Sequence, residues 1–167
     1  MCENSTTTSF DILSKQLKET YRLAATIAPR LRIGDVLLLT GDLACGKTYF
    51  VKGLADALGC TEIVTSPTYA LVHTYGIEAG DLMHIDAYRL EGTHEFMDLG
   101  LEEYLVDSIT AIEWGEKVRP LFDDYLSIAF HLADADINHR MLRFSCCGER
   151  WATEMDNLRE AIGREQP

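Results

Sequence analysis

One stretch of the chain has a residue order that chemistry explains better than packing: Gly41-Asp42-Leu43-Ala44-Cys45-Gly46-Lys47-Thr48. It matches GxxxxGK[ST], the Walker A phosphate loop. The spacing lets successive backbone N–H groups turn inward onto phosphate oxygens, and the following helix adds the partial positive charge of its N-terminus. Gly46 lets the backbone approach closely, Lys47 reaches the β- and γ-phosphates, and the Thr48 hydroxyl is the magnesium ligand. Tyr49 follows and completes the nucleotide-binding segment. Such a site needs acidic partners at the carboxyl ends of neighbouring strands. Asp86 ends the run Leu82-Met83-His84-Ile85, and Glu113 ends Ile109-Thr110-Ala111-Ile112. One carboxylate would hold Mg²⁺ directly or through water while the other orients the attacking water; the sequence leaves open which does which. Thr65, Ser66 and Thr68, between the loop helix and Asp86, form a hydroxyl cluster suited to sensing a γ-phosphate as switch loops do.

The elements that must position these groups follow from periodicity. Phe10, Ile12 and Leu13 suggest a short strand. Leu17, Tyr21, Ala24, Ala25 and Ile27 recur at helical spacing and predict an amphipathic helix over 14–28. Val36-Leu37-Leu38-Leu39 has no polar alternation, which predicts a strand covered on both faces, as in a parallel sheet. A helix over 47–58 ends at Gly59. Strands are predicted at 70–75, 82–86 and 109–113, with one acidic helix over 93–106. An antiparallel pair at 126–132 and 141–146, joined through 134–139, precedes a last helix at 152–162. Strands and helices alternate, so the class is α/β: a mainly parallel central sheet with antiparallel flanking strands and helices on both faces. With 167 residues and 47% hydrophobic content, one domain spanning 1–167 is expected. Its first eight residues, polar and small, are expected to fray, and 152–167 form the closing helix and tail.

The formal net charge is −12, from 27 acidic and 15 basic residues. Non-specific nucleic-acid binding needs a basic surface, so strong direct contact with nucleic acid is not expected, nor is contact with anionic membrane. A phosphate loop resolves the apparent conflict with a polyanionic ligand, because backbone dipoles, one lysine and Mg²⁺ supply the positive field locally. The five cysteines, Cys2, Cys45, Cys60, Cys146 and Cys147, are odd in number and lack a CxxC pair, which predicts reduced thiols in a cytoplasmic protein. The N-terminus has no basic and apolar tandem of a signal peptide. The five histidines have no metal-ligand spacing and read as structural or surface residues, with His84 nearest the site the best exception. Cys45 reads first as a small packing residue and second as a thiol activated by the phosphate loop.

The segments GDLACGKTYFVKGLADALG, TSPTYALVHTY, MHIDAYRL, FMDLGLEEYL and ITAIEWGEK occur in this order and together resemble the TsaE (YjeE) family, over roughly residues 8–147. The resemblance implies a P-loop NTPase fold and a weak, partner-stimulated ATPase using ATP and Mg²⁺. It implies a requirement in threonylcarbamoyl-adenosine modification of tRNAs reading codons that begin with A, with action on the TsaD–TsaB pair rather than transfer of the group itself. It matches Lys47 and Thr48 to the loop lysine and magnesium ligand, Asp86 to the Walker B aspartate, Glu113 to a magnesium-linked glutamate and Trp114 to the tryptophan beside it. Thr65, Ser66 and Thr68 fall on the switch-like loop. The family loop usually reads GDLGAGKT, so Ala44 and Cys45 are departures, as is Gly115 where many relatives carry Pro. A small-molecule kinase would need a lid of arginines that is not apparent after Glu113; a non-hydrolysing nucleotide-dependent scaffold is supported only by Ala44-Cys45.

Overall fold

The computed structural model describes residues 9–133 and 139–165. A seven-stranded sheet runs in the order β1-β7-β6-β2-β5-β4-β3. Its strands are β1 (Ser9–Ser14), β2 (Val36–Gly41), β3 (Val72–Ile77), β4 (Gly80–Asp86), β5 (Ser108–Glu113), β6 (Tyr125–Leu132) and β7 (Arg140–Cys147). The inner four, β6, β2, β5 and β4, are mutually parallel. The flanks are antiparallel: β3 on β4, and β7 and β1 beyond β6. This is the expected α/β arrangement of a parallel centre with antiparallel borders.

Alternation along the strands feeds two cores. Leu37 and Leu39 face one side, with Ile27, Phe50, Leu54, Trp151 and Leu158; Val36 and Leu38 face the other, with Met83, Ile85, Phe96 and Val118. The first face is covered by α1 (Leu17–Ile27), α2 (Lys47–Ala57) and α5 (Glu149–Glu165). In α5, Trp151, Met155, Leu158 and Ile162 are all buried, a 4-3-4 spacing that makes one helical stripe. Only short helices, α3 (Thr93–Met97) and α4 (Glu102–Val106), and single helical turns cover the second face.

Several expectations are corrected. The first helix starts at Leu17, because Ser14 still pairs in β1 with Arg140. Its buried stripe is Thr20, Leu23, Ala24 and Ile27, while Leu17 is exposed. The acidic helix over 93–106 is two five-residue helices separated at Gly100, whose φ is 64°. The expected junction at 134–139 falls mostly outside the described residues, as does the expected fraying of 1–8. Cys45, Cys60 and Cys146 are free thiols, while Cys2 lies outside the described residues. No helix among the described residues is long and apolar enough to cross a membrane.

Candidate functional site

The candidate residues meet where the parallel strands end. In register, Leu39 of β2 lies beside Glu113 of β5, and Glu113 beside Asp86 of β4. One rung of the sheet therefore carries both carboxylates next to the strand that leads into the phosphate loop. The loop leaves β2 at Gly41, where φ is 131° and a Cβ would lie 2.4 Å from the Phe130 carbonyl oxygen. Only glycine fits that approach to β6. Gly46, at φ 110°, sits at the N-cap of α2 and turns the chain into the helix. Ala44 holds φ 62° without being glycine, so the departure from the usual loop is accommodated with local backbone strain.

Lys47 is 4% exposed. Its Nζ donates to the carbonyls of Gly41 (2.7 Å) and Asp42 (2.8 Å) and lies 4.3 Å from the centre of the Trp114 ring. A buried ammonium is tolerable only with such partners. Trp114 itself takes the left-handed conformation, φ 59° and ψ 38°, and its ring packs 5.1 Å from that of Tyr88. Beside it Lys117 donates to the Leu90 carbonyl at 2.8 Å and to that of Tyr88.

The Thr48 hydroxyl donates to Glu113 Oε1 at 2.7 Å, and His84 Nε2 lies 2.9 Å from the same oxygen. Glu113 and His84 are both buried. Asp86 has other company. Its Oδ2 accepts from the Thr68 hydroxyl at 2.7 Å and its Oδ1 from the Tyr88 N–H at 3.0 Å. Ser66 Oγ is 2.7 Å from Thr68 Oγ1. The switch-like segment is thus tied to Asp86 and the phosphate loop to Glu113. Thr65 is not drawn in: it is exposed, and its backbone N–H and C=O both pair with the Tyr75 hydroxyl. Leu43, 78% exposed, stands at the tip of the loop, and Tyr49 packs on Tyr21, ring centres 5.8 Å apart.

Cys45 is buried, and burial pushes its thiol above the usual range, outweighing the opposing pull of Lys47. The packing-residue reading holds and the activated-thiol reading does not. Two further residues matter: Arg140, which the sequence does not point to, and His84, whose nearness to the site it does. Arg140, on β7, donates from Nε to the Cys45 carbonyl at 3.0 Å, bracing the loop from 95 residues away. No local signal could reveal that partner. His84 had a signal, its place two residues before a strand-terminal carboxylate, but no hint that it would point at the carboxylate of the next strand.

Comparison with known proteins identifies the family. The family model described as threonylcarbamoyl adenosine biosynthesis protein TsaE matches residues 14–142. A tRNA threonylcarbamoyladenosine biosynthesis protein TsaE from Streptomyces coelicolor is 41% identical over 137 residues, covering 78% of this chain and 93% of that protein. The Bacillus subtilis protein of the same description is 38% identical over 153 residues, covering 86% and 94%. The crystal structure of Bacillus subtilis YdiB superposes with a TM-score of 0.80 at 29% identity, covering 94% of this chain and 98% of that one. With its match extending from the end of β1 into β7 and its relatives aligned over most of their length, the chain belongs to the TsaE family of tRNA threonylcarbamoyladenosine biosynthesis.

Proposed function

We propose that this chain binds and hydrolyses Mg²⁺-ATP in support of threonylcarbamoyl-adenosine formation on tRNAs that read codons beginning with A, acting on a TsaD–TsaB pair that carries out the transfer. The observation that carries this reading is the 2.7 Å hydrogen bond from Thr48 to Glu113 at the mouth of the phosphate loop. A threonine that donates its proton to a carboxylate keeps its oxygen lone pairs for a metal. Mg²⁺ suits such a place, since it takes one or two protein oxygens and fills its remaining positions with water and substrate phosphates. When bound, it would neutralise charge developing on the phosphates.

The chain's own residues divide the remaining work. The loop N–H groups between Gly41 and Thr48 and the N-terminus of α2 bind phosphate. Lys47 exchanges its contacts with the Gly41 and Asp42 carbonyls for phosphate oxygens, a transfer over a short reach that leaves Trp114 above it. Glu113 and Thr48 would hold the ion. Asp86 would help hold it or orient a water, and through Thr68 it ties the 66–68 segment to the site. Burial of Lys47 and Glu113 strengthens every one of these interactions relative to water.

Lys47→Ala tests the reading. Hydrolysis, alone and with TsaD–TsaB added, should fall by roughly a hundredfold or more, with an unchanged circular dichroism spectrum. Normal tRNA modification in cells carrying only this variant would overturn the role of ATP.

A further inference from the structure

His84 is an unusual occupant of its position. It lies within β4, fully buried, flanked in register by His73 of β3 and Ala111 of β5. Leu82, two residues earlier on the same face, is also fully buried. Among the described residues the imidazole makes one hydrogen bond, Nε2 to Glu113 Oε1 at 2.9 Å, and its Nδ1 finds no partner. A buried polar ring with half its hydrogen-bonding capacity unmet is a poor choice for stability, because an apolar side chain of similar volume avoids the desolvation penalty. The feature of the site that accounts for a histidine there is the Glu113 carboxylate.

We propose that His84 is a positioning residue that fixes the Glu113 carboxylate for the metal; this rests on the Mg²⁺-ATP reading above. Two donors from different elements, Thr48 on α2 and His84 on β4, converge on the same oxygen, Oε1. Rotation of the carboxylate about its last torsion breaks both bonds at once. Oε2 makes no hydrogen bond to the described residues and is the oxygen left for Mg²⁺ or its water. Thr48 would itself be a ligand of the ion and belongs to the loop and α2, so His84 is the anchor that belongs to the sheet. Its bond to Glu113 spans two neighbouring strands, β4 and β5, and does not involve the loop. Hydrogen-bonded outer partners of this kind orient metal-ligating carboxylates.

The test measures ADP binding by calorimetry, in EDTA and in a MgCl₂ titration, for wild type, His84→Leu, His84→Gln and His84→Asn. Gln places an amide N–H near the position of Nε2, whereas the shorter Asn does not reach it. The Leu and Asn variants should need about tenfold more Mg²⁺ to reach half effect, and Gln much less. ADP binding in EDTA should be unchanged in all three. Equal Mg²⁺ requirements across folded variants would overturn the positioning role, as would equal losses with and without Mg²⁺, which mark a merely structural residue. If the Leu variant does not fold, the Gln–Asn contrast decides alone. If wild-type binding of a non-hydrolysable ATP analogue, measured in the same way, is indifferent to Mg²⁺, the parent reading fails; if wild type responds to Mg²⁺ and the variants respond equally, this inference fails by itself.

Discussion

Ala44 and Cys45 are the two loop residues that depart from the usual family pattern, and the structure gives each a different physical consequence. Ala44 holds φ 62°. Substitution to Gly removes a left-handed strain of about 1–2 kcal/mol and restores about 0.4–1 kcal/mol of unfolded-state entropy. The net expectation for Ala44→Gly is a gain of about 0–1.6 kcal/mol, a rise in Tm of up to about 6 °C by calorimetry. Cys45 is buried with its thiol pushed upward by desolvation, so the thiolate is scarce at neutral pH and grows only at pH above the ordinary thiol range. Iodoacetamide at pH 8 should leave Cys45 unmodified in the native protein and alkylate it after unfolding in urea, as read by mass spectrometry. Rapid native-state alkylation would show that Lys47 dominates over burial. The loop residues themselves were legible in the sequence because their order is dictated by phosphate geometry. The strain at Ala44 was legible as a question, since φ at one position is invisible until the loop is built.

At the scale of elements, the strands that end at the site were the easiest to read. Val36–Leu39 is an unbroken apolar run and Ile109–Ile112 is apolar but for Thr110; both are buried throughout. What the sequence could not supply was lateral order. That β5 rather than β4 lies against β2 decides which carboxylate meets Thr48, and no residue pattern encodes it. The acidic helix was misjudged because helical periodicity reads straight through Gly100, while the chain turns there. Gly115 illustrates a requirement seen only after packing. A Cβ at this position would lie 2.7 Å from the Leu38 Cβ and 2.9 Å from its Cα, so the turn after Trp114 rests directly on the phosphate-loop strand. Gly115→Ala should lower stability by about 1–3 kcal/mol through overpacking, a fall of several degrees in Tm. It should also weaken ADP binding, because Trp114 above Lys47 is displaced with the turn. Unchanged melting and binding would mean the strand and turn separate more easily than their close packing implies.

At the scale of the whole molecule, the charge of −12 sits oddly with a family named for tRNA. A net charge this negative leaves no broad basic surface for a polyanion, so strong RNA binding is not expected of this chain. Fluorescence anisotropy at physiological salt should detect no tRNA binding in the range of about 10⁻⁶ M that basic non-specific binders reach; tight binding by the isolated chain would place RNA recognition here instead. The sheet order has one more consequence, and it concerns time. β2 is made early, yet its two hydrogen-bonded neighbours, β5 and β6, come from residues 108–113 and 125–132. During synthesis the phosphate-loop strand emerges without either partner. The carboxylate for Thr48 arrives with β5, and Arg140, which braces the loop, arrives later still. The candidate nucleotide site is therefore among the last parts of the molecule to close, and on the Mg²⁺-ATP reading a nascent chain halted before β7 should not retain ATP.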